Sequence, residues 1–429
     1  MKPRSRLILI AALIISSFLC GFTYRDLGTG NGVHGVLAAL QLLPGRLATA
    51  ITANLGSDDT KLSATEAYWD VFTYLDANYF GEKPDPKQLT YAAIRGMLAA
   101  LGDRYTRFLD PNEHKQMQEE NTGNFEGIGA ELEKKDGRVF ITKIMGKPAE
   151  RANLQPGDII LKVDDQLIQG LDIAEVVKRI RGPQGTKVKL TIKREGVPDL
   201  LEVEIERAVI PFKIVVWEMK DGDSKIGYIA LRQFNEQSDQ LMDDALTELE
   251  KLEMRGLVLD LRGNTGGLLE VAIDIGSRFI RGGDIVIIQN RGGQRSALPA
   301  EPSKYNHRVY PLVVLIDQNS ASASEIVAGA IRDRKAGTLV GVDSFGKGLV
   351  QTIMNLEGGA AVSITTAKYF TPNGRDVNKE KIHPDVVVEP TKEDLKSKKD
   401  AQLERAVQIL RERLGATQAG TRNGKRDST

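Results

Sequence analysis

The 429-residue chain has one cysteine, Cys20, four histidines and two tryptophans. A single cysteine excludes an internal disulfide, and its place near the N-terminus leaves the rest of the chain without a thiol for nucleophilic attack or a metal cluster. The histidines, His34, His114, His307 and His383, nowhere pair at ligand spacing, so no metal site is expected. Net charge is missing as well, since Lys+Arg and Asp+Glu both number 58. Nucleic-acid binding needs a basic face, which this balance does not announce.

What is present is an ordinary globular balance, 41% hydrophobic and 27% charged, with apolar material for more than one core. The length suggests two to three domains. Lys2, Arg4 and Arg6 precede an apolar run at 7–22, the basic-then-apolar order of an export segment. The run is short beside the ~20 residues of a spanning helix. Ser17-Phe18-Leu19-Cys20 sets bulky residues where a lipoprotein signal wants small ones, and no clean Ala-x-Ala site follows. An uncleaved anchor is the first reading and a cleaved signal the second; either predicts a periplasmic, membrane-anchored or secreted protein. A buried core helix is the plainer alternative.

Residues 23–62, rich in Gly and Ala, read as a tether. Residues 63–80 carry aromatics and aliphatics at helical spacing, with Ser63 and Glu66 in a capping-box pattern, and 88–101 make a second amphipathic helix. Asp110-Pro111 opens a short helix that completes a helical region at 63–123. From 124 to 207 the pattern turns to short β-rich runs at 129–133, 139–144, 159–163, 187–194 and 201–208, with one helix at 173–180. From 208 to 390, buried-strand runs at 256–261 and 311–316 alternate with helices at 238–254, 268–280 and 322–334. Strands at 225–231, 338–342, 349–355 and 361–367 extend an α/β core. In 391–429, Leu403, Ala406, Val407, Leu410 and Leu414 form the stripe of a C-terminal helix, and the last dozen residues are expected to be disordered. Ligands of α/β cores sit at the carboxyl ends of strands, where the turns 262–267 and 317–322 fall.

Three segments there carry chemistry. Asp317-Gln-Asn-Ser320-Ala-Ser322-Ala-Ser324-Glu325 joins a buried strand to a helix, where the dipole and neighbouring amides favour a nucleophile and an oxyanion. Taken alone, it is equally a serine-rich N-cap. Asp343-Ser-Phe345-Gly346-Lys347-Gly348-Leu-Val-Gln351 offers a base, since burial lowers a lysine pKa and the histidines are poorly placed. Period two in a following strand sets Lys347, Leu349 and Gln351 on one face, where Gln351 orients the amine. A lysine in a glycine loop is nonetheless more commonly structural. Gly341-x-x-x-x-Gly346-Lys347 nearly matches a phosphate-binding loop, but Gly348 stands where a Ser or Thr must reach the metal, so nucleotide binding is discounted. Asp260-Leu261-Arg262-Gly263-Asn264-Thr265-Gly266-Gly267 presents adjacent glycine amides, as an oxyanion site or as a plain tight turn.

In this order, Asp-Leu-Arg-x-Asn-x-Gly-Gly, Ser-Ala-Ser-Ala-Ser-Glu and Phe-Gly-Lys-Gly-x-x-Gln resemble the C-terminal processing (tail-specific) peptidases, over residues 63–390. Met97-Leu-x-x-Leu-Gly-Asp103-x-Tyr-x-x-Phe-Leu109 adds to the likeness. The resemblance implies Ser322 as nucleophile, Lys347 as base and Gln351 as its partner. It places the oxyanion donors at Ala323 and at Gly266 or Gly267. Ser324 would cap the helix, and Glu325, Asp333 and Arg262 would brace the site. The 124–207 module resembles a PDZ domain, with Phe125-Glu-Gly127-Ile128-Gly129 as carboxylate loop and a strand from Ala130 that takes a peptide by strand addition. Val176, Val177 and Ile180 would flank its pocket and select apolar termini, or are simply core.

The fold implied is α/β and β multi-domain, a crotonase- or Clp-protease-like α/β core with an inserted PDZ domain and an N-terminal helical segment. The activity implied is that of a serine endopeptidase acting by an acyl-enzyme on proteins with exposed apolar C-termini. It calls for no cofactor and no metal, and admits a homodimer and an adaptor protein as partners, but no nucleic acid. The rivals are an inactive PDZ scaffold, a crotonase-like acyl-CoA enzyme, and a Ser-His-Asp hydrolase using His307 or His383.

Overall fold

The computed structural model describes residues 59–423 apart from 222–223, 307 and 398. The predicted export segment, residues 23–58 of the tether, His34, His307 and 424–429 lie outside the described residues. Among the described residues, no helix is long and apolar enough to cross a membrane. The chain divides into two compact units at Leu89 and Thr90.

Helix α1 (Asp59–Asn78) begins upstream of Ser63, so the Ser63/Glu66 pair lies inside it and does not start it. Helix α2 is Pro86–Ala99 and strand β1 is Arg107–Leu109. Helix α3 (Pro111–Thr122) is capped by Asp110, whose carboxylate accepts the N–H groups of Asn112 and Glu113 while the Glu113 side chain accepts that of Asp110. Strand β2 is Asn124–Gly127.

A small antiparallel module follows: β3 (Ala130–Lys135), β4 (Arg138–Ile144), helix α4 (Lys147–Arg151), β5 (Ile159–Val163), β6 (Gln166–Leu167), helix α5 (Ile173–Ile180), β7 (Lys187–Lys193) and β8 (Leu201–Glu206). Its sheet runs β3-β4-β5-β7-β8, with β6 on β5, which leaves the outer edge of β3 without a strand partner among the described residues. Alternate residues such as Ile141, Ile160, Val188 and Leu190 point inward and pack with Val176 and Ile180 of α5. Strand β9 (Ala208–Pro211) pairs with β2, so one ribbon ties both ends of the module together.

The larger core contains β10 (Val215–Asp221), β11 (Ile226–Leu231), helix α6 (Ser238–Lys251), β12 (Gly256–Asp260), helix α7 (Leu269–Ser277), β13 (Asp284–Asn290), β14 (Arg295–Pro299) and β15 (Leu312–Ile316). Helix α8 (Ala323–Asp333), β16 (Thr338–Gly341), β17 (Leu349–Asn355), β18 (Ala361–Phe370), helix α9 (Val377–Glu380), β19 (Val386–Val387), helix α10 (Lys392–Ser397) and helix α11 (Ala401–Asn423) complete it. One sheet runs β10-β11-β12-β15-β16-β19, parallel from β11 onward; the other runs β1-β18-β13-β14, with β17 on β18.

The first sheet is buried on both faces, which explains its unbroken apolar strands. Leu257, Leu259, Val314 and Ile316 face α6, α7 and α8. Val258, Val313 and Leu315 face Ala406, Ile409, Leu410 and Leu414 of α11. Leu403 and Val407 pack against the same cluster, so the whole apolar stripe read from the tail lies on the sheet. The helix continues to Asn423, into the stretch expected to be disordered.

Candidate active site

The carboxyl ends of β12, β15 and β16 deliver three loops to one place. Their serines divide by burial. Ser320 is fully buried, and its hydroxyl lies 2.8 Å from Leu261 O and 3.1 Å from Asp317 Oδ1. Ser324, also fully buried, donates to Asn264 O at 2.8 Å. That bond fastens two turns together, so Ser324 is not the helix cap expected of it. Ser322 is half-buried and sits at the N-cap of α8 with φ 54° and ψ −114°. A non-glycine residue at positive φ is strained and held there by its surroundings.

The turn 262–267 packs against this strained residue. A methyl built on Gly266 would fall 2.7 Å from Ser322 Cβ and 3.0 Å from Ala323 N, and one on Gly267 would fall 1.9 Å from Phe234 O. Both positions therefore require glycine. Gly266 N–H donates to Asn264 Oδ1 at 2.9 Å, so it is already committed. The N–H groups of Gly267 and Ala323 make no hydrogen bond among the described residues. Arg262 braces as expected, binding Asp260 and Asp400, whereas Asp333 lies at the far end of α8 from Ser322 and accepts Asn373 N–H there.

The carboxylate of Glu325, 1% exposed, is the hub of the site. Its Oε2 accepts Ser322 N–H and Lys347 N–H, each at 2.9 Å. The two backbone nitrogens therefore lie no further apart than twice that distance. Its Oε1 accepts the Ser344 hydroxyl at 2.5 Å and Gly346 N–H at 2.7 Å. Tyr369 adds a second tie, for its hydroxyl lies 2.5 Å from Lys347 O and 3.1 Å from Ser322 O. Burial raises the Tyr369 phenol well above its ordinary pKa, with the Glu325 charge adding to the effect, so it remains a donor.

Lys347 is half-buried in the loop between β16 and β17. Its Nζ sits 5.0 Å from the centre of the Tyr105 ring. Burial lowers its pKa and the charge of Arg107 lowers it further, against the opposing pull of Glu325 and Asp103. Tyr105 and Asp103 belong to the stretch just before β1, which lies beside the Lys347 loop. The motif 97–109 marked this stretch in the sequence without assigning it a role.

Gln351 departs from expectation. Lys347 lies in the loop before β17, which begins at Leu349, so strand alternation does not reach it; the register shift opposite Val350 and Gln351 is an extra residue, Thr366, on β18. The Gln351 amide donates to Thr365 Oγ1 at 3.3 Å. His383 pairs with Asp343 at 2.8 Å, both about half exposed, and no hydrogen bond links it to Ser322 among the described residues. His114 is buried against Gly359 O.

In the small module, Phe125 and Gly127 lie in β2, paired with β9, and do not form a loop. Phe125 is buried, 5.0 Å from Phe212 between ring centres, with the Arg181 guanidinium over its face. Only Ile128 and Gly129 form the turn into β3. Val176 and Ile180 are fully buried in the module's core, so they do not flank a pocket. Val177 is half-buried and, with Ile173, lines a cavity of about 600 Å³ between α5 and α3. The outer edge of β3 runs beside α5.

Residues 225–388 match the model of peptidase family S41, and 140–194 match a PDZ domain. A carboxy-terminal processing protease, CtpB, of Bacillus subtilis is 36% identical over 83% of this chain and 75% of its own. A carboxyl-terminal-processing protease of Synechocystis is 38% identical over 76% of this chain and 77% of its own. Among solved structures, a photosystem II D1 C-terminal processing protease aligns with TM-score 0.46 and 32% identity over 78% of this chain and 88% of its own. With an S41 core, a PDZ module and likeness along most of its length, the chain belongs to the C-terminal processing proteases, PDZ-containing serine peptidases of family S41.

Proposed function

We propose that the protein cleaves proteins near an apolar C-terminus through a Ser322–Lys347 dyad. The observation that carries this reading is the single Glu325 oxygen that receives the backbone N–H of both residues. Neutral Lys347 takes the proton of Ser322 Oγ, which attacks the peptide carbonyl. The amides of Ala323 and Gly267 receive the oxyanion, since Gly266 N–H is already bound. Lys347 then gives its proton to the departing amine as the C–N bond breaks, and water hydrolyses the ester to free Ser322. Burial of Lys347 shifts its amine toward the neutral form that the first step needs.

Substrate tails enter the PDZ module by strand addition on the outer edge of β3. The N–H groups of Ile128 and Gly129, which make no hydrogen bond among the described residues, receive the terminal carboxylate. Val177 and Ile173 supply the apolar contact. The segment 1–22 exports the chain to the periplasm, as an anchor or as a cleaved leader; fractionation of cells tests this.

The deciding experiment is hydrolysis of a model protein with an apolar tail by wild type, Ser322→Ala and Lys347→Ala. Both variants are expected to lose turnover while keeping the fold. Full hydrolysis without the amine would refute the dyad.

A further inference from the structure

We propose that Asp400 and Gln402, at the start of the C-terminal helix α11, are positioning residues for the oxyanion turn and act through Arg262. The inference rests on the dyad reading above. Arg262 is the first residue after Leu261 at the end of β12 and leads directly into Gly263–Gly267. Its guanidinium is held on two sides. Nε and Nη2 bind Asp260 at 2.9 and 2.8 Å, and Nη1 and Nη2 grip both oxygens of Asp400 at 2.8 Å each. Nη1 also donates to Gln402 Oε1 at 3.0 Å. A two-pronged guanidinium–carboxylate pair fixes orientation as well as distance.

Each partner is itself immobilised. Asp260, 2% exposed, also accepts Arg262 N–H at 3.0 Å and the Tyr228 hydroxyl at 2.7 Å. Asp400 accepts Leu403 N–H at 3.0 Å within the first turn of α11. Gln402, 3% exposed, donates to Val388 O at 2.8 Å.

This clamp is not what holds α11 to the sheet, because Ala406, Ile409, Leu410 and Leu414 already do so through apolar burial. It grips the beginning of the turn that ends at Gly267. The turn's far end is fixed by Phe234 and its middle by Asn264. Beside the clamp opens a polar cavity of about 480 Å³, lined by Tyr228, Asp260, Arg262, Asp317, Asp400 and Gln402. On this side, past the buried Leu261, the turn is held by polar contacts, the ions of Arg262 and the Gly263 N–H that Asp317 accepts at 3.0 Å. Oxyanion donors act only when placed for the transition state, and a shift of about 1 Å costs roughly a hundredfold in rate.

The test is Asp400→Asn, which keeps shape and removes charge. The expected result is a fall in kcat of roughly tenfold or more with KM within roughly twofold. Affinity for a peptidyl boronate, whose tetrahedral adduct on Ser322 presents an oxygen to the donors, should fall in parallel with kcat. Leu410→Ala, on the same helix but within the apolar stripe, should lower the melting temperature and leave kcat unchanged below it. In Arg262→Ala, methylguanidinium should restore turnover saturably by entering the cavity. If that variant does not fold, Gln402→Leu takes its place, with the same selective loss of kcat expected. Wild-type kcat in Asp400→Asn, beside an inactive Ser322→Ala, overturns this inference alone. Undiminished turnover in Ser322→Ala overturns the dyad on which it rests.

Discussion

Glu325→Gln separates the hub from ordinary packing. The substitution keeps volume and exchanges one carboxylate oxygen for an amide that donates. In place of Oε2, that amide would face the N–H groups of Ser322 and Lys347, neither of which can turn away. In place of Oε1, it would face Gly346 N–H and the Ser344 hydroxyl, and the hydroxyl can rotate. The second placement is favoured and leaves one buried donor unsatisfied, costing about 1–3 kcal/mol. Loss of charge weakens the two remaining backbone bonds by about 1 kcal/mol each. The variant is therefore expected to be about 3–5 kcal/mol less stable, lowering the melting temperature by roughly 10 °C.

Its catalytic signature is more specific. The Glu325 charge raises the pKa of Lys347, so removing it lowers that pKa further. The acid limb of kcat/KM should move to lower pH, while the plateau falls by up to roughly a hundredfold as the two loops part. Damage without a hub role would lower the plateau and leave the limb in place. A wild-type plateau and melting temperature, or an acid limb moved to higher pH, would refute the reasoning.

The other charges around Lys347 give predictions of opposite sign. Arg107→Gln removes a charge that lowers the Lys347 pKa and should move the acid limb to higher pH; Asp103→Asn should move it to lower pH, and both shifts should shrink with added salt. Because the folded pKa of Lys347 lies below 10.5, the unfolded chain binds more protons between the two values, so its contribution to stability improves as pH rises through that window. Lys347→Met should accordingly raise the melting temperature at neutral pH while abolishing turnover, as measured by calorimetry and peptide hydrolysis. In the PDZ module, Ile180→Ala should cost about 2–5 kcal/mol with tail preference unchanged. Val177→Lys should leave stability near wild type and raise KM for apolar-tailed substrates only.

The large core was legible because its strands are buried twice over. Runs such as 256–261 and 311–316 admit little else between helical patterns. The three-loop site was legible only as an ordered set of motifs, because the contacts that assemble it are long-range. Glu325 read as a brace, and nothing local reveals that one of its oxygens holds two loops. Tyr369 carried no signal in the sequence and Tyr105 stood only inside the 97–109 motif, since β18 and the segment before β1 meet the site from the second sheet. The pairing of Lys347 with Gln351 assumes a strand that already includes Lys347, whereas β17 starts at Leu349 and Gln351 bonds Thr365. The PDZ resemblance assigns Phe125–Gly127 to a loop, while its strand partner β9 lies some eighty residues away.

The order of small residues in Ser-Ala-Ser-Ala-Ser-Glu has a mechanical meaning. The outer serines are fasteners, one to Leu261 O and one to Asn264 O, and the glutamate fixes the N–H of the middle one. Held from both sides, Ser322 is forced to φ 54° and left half-buried where the outer serines are fully buried. Such strain costs about 1–3 kcal/mol. Glycine adopts this conformation freely but loses about 0.5–1 kcal/mol through the greater freedom of its unfolded chain. Ser322→Gly should therefore be more stable than Ser322→Ala by about 1–2 kcal/mol, although both lack the hydroxyl and should be inactive. Denaturant titration of the two inactive variants measures the difference directly. If the alanine variant proves equally or more stable, the serine is not strained, and its position needs another cause than the clamp of Glu325 and the two fasteners.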